Sequence, residues 1–168
     1  IALAILPPRE EWPAPVQKVF LAMNMEDIVD PMREDSEWVK FKDIPKDMRN
    51  AIIAIEDHEF YEHGAISPES ILRAMLVNII DGEISQGGST LTQQFVKNTF
   101  LTHEQTMERK IEEAILSVVL ESKYSKDEIL EMYLNSTYFG AGATGIHQAS
   151  KVYFGRHVSR LTLAEAAV

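Results

Sequence analysis

Thr102 with Gln105, Ser125 with Glu128 and Thr162 with Glu165 each set a hydroxyl three positions ahead of a side chain able to reach back to it. That spacing marks a capping box, in which two side chains satisfy backbone N–H groups that a helix leaves free at its start. Beyond these starts, Gly and Pro are scarce inside long stretches of helical periodicity, so the chain reads as mostly α. Ser67 followed by Pro68 marks another helix start, with the apolar pairs 71/72, 75/76 and 79/80 as one stripe and Gly82 as its stop. Met48, Ala51, Ile52 and Ile55 predict a helix over about 46–58, and Ile146, Ala149, Val152 and Tyr153 a short one over 145–153. The proline-rich first 45 residues break the pattern, and "EWVKFKDI" within them reads as a short strand.

A chain of 168 residues with 45% hydrophobic composition supplies one sizeable core. Its 26 acidic and 16 basic residues leave a net charge of −10, which argues against nucleic acid as a partner. With no cysteine, a disulfide framework and a thiolate metal site are both excluded. The opening "IALAIL" is far shorter than the roughly 20 apolar residues that span a bilayer. It reads equally well as the tail of a membrane anchor and as an irregular arm.

The stretch "AIEDHEFYEH", residues 54–63, crowds titratable groups together. Helical spacing puts Glu56 at the edge of the apolar stripe and Asp57 nearly opposite, so Glu56 is expected to be half-buried. Burial of that kind raises a carboxylate's proton affinity and suits a general base, although a structural ion pair fits the same pattern. In "GGSTLTQQFVKN", Ser89 is the expected N-cap, and the helix start forms an anion seat to which Lys97 can add charge. A plain linker and capped helix would look the same. In "ERKIEEAILSVVLE", Met107, Ile111, Ala114, Ile115 and Val118 form the expected buried stripe, leaving Arg109, Lys110 and Glu113 on the far side. A helix ending at Asn135 precedes Gly140, Gly142 and Gly145, which permit a tight turn or close approach to a ligand. His58, His63 and His147 lack the partners of a zinc site and are expected to be structural hydrogen-bonders.

Taken in order, "EDHEFYEH", "GGSTLTQQFVKNTFL", "RKIEE", "KDEILEMYLN" and "GATGIHQASKVYFG" resemble the five motifs of the family 51 glycosyltransferases, the peptidoglycan glycosyltransferase domains of class A penicillin-binding proteins and monofunctional transglycosylases. Departures are Ala65, where the family usually has Gly, and Thr144, where a larger residue is common. The resemblance covers about residues 37–168, which makes 1–36 an N-terminal arm or linker, and the stop at "LTLAEAAV", in a helix barely begun, leads to the expectation that the domain is cut short there. It implies a lysozyme-like helical fold of two lobes, whose cleft polymerises lipid II into β-1,4 glycan strands and releases undecaprenyl pyrophosphate. By motif match Glu56 is the general base and Glu113 the second glutamate. Ser89, Gln93, Gln94, Lys97, Arg109 and Lys110 line the sugar and pyrophosphate sites, with Arg73 and Asn135 as further candidates. Mg²⁺ or another divalent cation is the one cofactor implied, and no organic cofactor is expected.

The implied partners are lipid II, the growing glycan strand, the membrane surface, and a C-terminal transpeptidase domain or other cell-wall synthesis proteins. The implied location is the extracytoplasmic face of a bacterial membrane, held by an N-terminal anchor. Single displacement with inversion is expected, since nothing points to a covalent glycosyl-enzyme. Two alternatives remain. A glycan-cleaving enzyme of lysozyme-like fold would use a glutamate but has no reason to gather Lys97, Arg109 and Lys110. A non-catalytic lipid-II-binding module would be free to lose Glu56 and Glu113, and both are present.

Overall fold

The computed structural model describes residues 14–72, 87–102 and 106–167. Arg73, Met75, Leu76, Ile79, Ile80, Gly82 and Gln105 lie outside the described residues. In chain order the helices are α1 (Ala14–Met23), α2 (Glu26–Arg33), α3 (Lys46–Glu56), α4 (from residue 68, described to 72), α5 (Leu91–Phe100), α6 (Met107–Lys123), α7 (Lys126–Ser136), α8 (Gly145–Phe154) and α9 (Leu163–Ala166). The mostly helical reading holds.

Local chemistry sets most of the starts. Ser67 Oγ accepts from the backbone N–H of Ser70 at 3.1 Å. Ser125 with Glu128 and Thr162 with Glu165 form complete capping boxes. The start expected at Thr102 rests on Gln105, outside the described residues; α6 begins at Met107, and its N-cap is Thr106, which accepts from the N–H of Arg109.

The core is built around α7, where Ile129, Leu130, Met132, Tyr133 and Leu134 are all buried. Burying each such side chain stabilises the fold by about 1.5–3 kcal/mol. Helix α5 packs on both α7 and α6 and brings Leu91, Phe95 and Val96 into the same cluster as Leu116 and Leu120. Met25 and Val29, from the segment expected to be an arm, are fully buried in that cluster. In α3, Met48, Ile52 and Ile53 pack against it, whereas Ile55, expected on the same stripe, is 74% exposed.

The strand expected in "EWVKFKDI" does not form. The hydrogen bonds a neighbouring strand would supply come instead from one side chain: Asn135 Oδ1 accepts from Val39 N–H at 2.8 Å, and Asn135 Nδ2 donates to Val39 C=O at 2.9 Å. The chain then turns into a 3-10 helix, Phe41–Asp43. Buried Glu131 anchors this turn, accepting from the Phe41 N–H at 2.6 Å and from Trp38 Nε1 at 2.8 Å.

Gly145 shows what the glycine-rich turn is for. Its φ is +79°, and a Cβ there would stand 2.4 Å from the carbonyl oxygen of Asn135. The close approach at Gly145 is to the end of α7. Gly145→Ala is therefore expected to lower stability by more than about 2 kcal/mol, because a strained backbone alone costs about 1–3 kcal/mol and the overlap is with immobile backbone. Chemical denaturation reads this as a lower midpoint at constant m-value, and a midpoint equal to the parent's would show that the turn simply gives way.

Candidate active site

Glu56 is the last residue of α3, and it is exposed. The half-buried position expected for it belongs to its neighbour: Asp57 is 6% exposed. The reversal has a local cause. Helical register cannot be extended past the helix end, and Asp57 has left it, with φ −161° and ψ 73°. Its carboxylate is a fastening point. Oδ2 accepts from the N–H of Leu91 at 3.0 Å, at the N-terminus of α5 where the helix dipole favours negative charge. Oδ1 lies 2.6 Å from Nε2 of His63, so that histidine is the structural hydrogen-bonder expected. The end of α3 is thereby tied to the start of α5. One turn further along α5, Gln94 Nε2 donates to Glu56 Oε2 at 2.9 Å.

The start of α5 also differs in detail from the expectation. Thr90, not Ser89, is the N-cap, and it forms a capping box with Gln93. The spacing Thr90-x-x-Gln93 was the signal in the sequence that distinguishes the two hydroxyls. Gln93 is consequently buried, with its Oε1 accepting from the Thr90 N–H. Ser89 is released for another purpose: its Oγ accepts from Lys110 Nζ at 2.7 Å. Lys97, one turn beyond Gln93 and Gln94, is half-buried and has no ion-pair partner among the described residues.

Helix α6 is turned the opposite way from the expectation. Met107, Ile111, Ile115 and Val118 are each more than half exposed, while Glu113, at 1%, is buried beside Leu116, Ser117 and Leu120. The carboxylate goes inside because its neighbours meet its charge. Arg109 Nη1 donates to Oε2 at 2.8 Å, Lys110 Nζ donates to Oε1, and Ser117 Oγ donates to the Glu113 carbonyl oxygen at 2.6 Å. Buried charge is tolerated when paired and hydrogen-bonded in this way. Arg109 Nε is buried and has no hydrogen-bond partner among the described residues.

A divalent cation fits this donor set poorly. Both carboxylate oxygens of Glu113 are taken by cationic groups, and among the described residues no group of three or more His, Asp or Glu side chains converges. Asn135 is also committed elsewhere, since its amide braces Val39 and donates to the Glu131 carbonyl oxygen at 2.8 Å.

What remains is an arrangement of two clusters around the start of α5. One holds the Glu56 carboxylate through Gln94, whose Oε1 in turn accepts from the hydroxyl of Tyr133 at 3.3 Å. The other is the cationic group of Lys110 and Arg109 around Glu113, reached through Ser89. A carboxylate on one side and positive charge on the other suit a displacement in which a hydroxyl attacks and an anion departs. Asp57, Tyr133 and His63 were not picked out as site residues from sequence. Each acts by holding another group, which periodicity does not reveal.

A family model described as transglycosylase matches residues 16–168. The chain is 48% identical over 145 residues to penicillin-binding protein 1F of Bacillus subtilis, covering 86% of this chain and 20% of that protein. It is 50% identical over 131 residues to penicillin-binding protein 1A of Aquifex aeolicus, covering 78% of this chain and 18% of the relative. Against penicillin-binding protein 1A of Escherichia coli the identity is 48% over 130 residues, 77% of this chain and 15% of the relative. The chain thus spans about a fifth or less of the length of the curated relatives it matches.

Proposed function

The chain belongs to the transglycosylase family, and from that premise we propose that it is a peptidoglycan glycosyltransferase which polymerises lipid II into β-1,4 glycan strands. The observation that carries the reading is that Glu56 and the Lys110–Glu113–Arg109 cluster are held from points five residues apart in the chain, by Gln94 in the first turn of α5 and by Ser89 just before it. In this scheme Glu56 takes the proton of the acceptor's 4-hydroxyl as its oxygen bonds to the donor's anomeric carbon. The bond from that carbon to the pyrophosphate oxygen breaks, and the electron pair leaves with undecaprenyl pyrophosphate. Lys110, Arg109 and Lys97 meet the negative charge that accumulates on the departing group. Inversion follows from a single in-line displacement, in a cleft between two lobes. Incubation with labelled lipid II tests the proposal. A ladder of glycan strands supports it, whereas shortening of finished glycan with no ladder would identify a cleaving enzyme, and binding without turnover a recognition module.

The same reading places the protein against the outer face of a bacterial membrane, where lipid II resides, in a larger protein that adds an anchor and a transpeptidase domain. No helix among the described residues is long and apolar enough to cross a membrane. Contact with the surface is supplied instead by the outward stripe of α6, Met107, Ile111, Ile115 and Val118, each more than half exposed. Ile111→Ser with Ile115→Ser is expected to weaken partition onto phospholipid vesicles several-fold while the thermal midpoint stays within a few degrees of the parent's, since exposed positions contribute little to folding. Unchanged vesicle binding, or loss of folding, would return the stripe to a packing role.

A further inference from the structure

We propose that Tyr133 is a positioning residue for this reaction, orienting the amide of Gln94 and, through it, the carboxylate of Glu56. The inference rests on the reading of Glu56 as the base, and it assigns a role to a residue buried in the helical core.

The geometry begins with an awkward fact about Glu56. It is exposed at the end of a helix, so packing does nothing to hold its side chain. Three rotatable bonds leave such a carboxylate many positions, and a base must occupy one of them when the hydroxyl arrives. Among the hydrogen bonds of the described residues, the one that restrains it comes from Gln94 Nε2, 2.9 Å from Oε2. Gln94 is itself a flexible side chain on a half-buried position. Its other amide atom, Oε1, accepts from the hydroxyl of Tyr133 at 3.3 Å.

Tyr133 is different in kind. It is 4% exposed, in the middle of α7, with Met132 and Leu134 beside it fully buried. Its phenol is pushed up to about 12, first by burial and then by the charge of Glu56, so the hydroxyl keeps its proton throughout the working range. A carboxylate only accepts, an amide has one donating and one accepting end, and a phenol does either. The chain of three groups therefore has a single consistent polarity: phenol O–H to amide oxygen, amide N–H to carboxylate. Turning the amide over would face its oxygen toward the carboxylate. A rigid core residue thus sets the direction of a mobile surface one, at two hydrogen bonds' remove.

Tyr133→Phe removes only the hydroxyl and keeps the ring in the core. With the intact protein and labelled lipid II, kcat is expected to fall roughly 10- to 100-fold, the scale of a displaced catalytic group, while KM stays within about 2-fold. In a Gln94→Ala background the same substitution should have no further effect, because its path to Glu56 is already cut. Side-chain amide NMR signals of Gln94, from glutamine-selective ¹⁵N labelling, should move toward free-glutamine positions in Tyr133→Phe. A wild-type kcat in Tyr133→Phe, or an equal fall with and without Gln94, would overturn the proposal. Should the parent make no ladder at all, the polymerase reading fails, and the amide signals still decide the relay: signals unmoved by Tyr133→Phe would end it.

Discussion

Glu56→Gln is expected to slow polymerisation of lipid II by about 10²- to 10⁴-fold, the range that general acid–base groups contribute. The replacement keeps the shape of the side chain and leaves an oxygen for Gln94 Nε2 to donate to, but that oxygen cannot take up the hydroxyl proton. Because Glu56 is exposed and its partner is another surface-reaching side chain, the fold should lose no more than about 0.5 kcal/mol. Binding of lipid II should stay measurable, since the cationic cluster is untouched. The decisive comparison is rate against thermal midpoint in the same preparation. A variant that keeps more than a third of the parent's rate would remove Glu56 from the base role, and one that melts early would show that the loss of activity is a loss of structure.

Glu113→Gln should fail in the opposite manner, through structure first. Its carboxylate is 1% exposed and both oxygens are held by cations, one of them the largely buried Arg109. Removing the charge leaves Arg109 and Lys110 beside each other with only a neutral amide between them. Breaking a buried pair from one side costs about 3–5 kcal/mol, and the exposure of Lys110 argues for the lower end. For a chain of this size that lowers the thermal midpoint by about 6–12 °C. The remaining folded protein should bind lipid II more weakly, because repelling cations no longer converge on one anion. If both midpoint and affinity survive, Glu113 is not what organises the cluster. A response to Mg²⁺ that is the same in parent and variant is expected as well, since the oxygens a metal would need are already occupied.

These two glutamates also mark where reading the chain succeeded and where it could not. Their place in the family's motifs, and that of Lys97, Arg109 and Lys110, was legible because motif order and spacing carry the family. Their burial was not. Glu56 was expected half-buried at the edge of the apolar stripe of α3, but it ends that helix exposed, and the backbone turns away just beyond it, so that Asp57 takes the buried place. Glu113 was expected outside because Met107, Ile111, Ile115 and Val118 make the more apolar stripe of α6. Yet Leu116 and Leu120 face inward with it, and the cations that neutralise Glu113 lie on its own helix, so the fold could bury the face that carries the charge.

What the amino-acid order settled alone is what depends on neighbours within a few positions. Helix starts at Ser67, Ser125 and Thr162 belong to this class, because a capping hydroxyl and its N–H partner are three residues apart in any fold. The choice of Thr90 over Ser89 belongs to it too, through Gln93. Contacts spanning tens of residues were decided only when the chain packed. Val39 is paired by Asn135, 96 positions away, where a strand had been expected. Asp57 reaches Leu91 across 34 positions, and Tyr133 reaches Gln94 across 39. Each satisfies a polar group that burial would otherwise leave unpaired, and which distant residue meets that need depends on how the helices pack against one another. Short-range pattern holds no information about that.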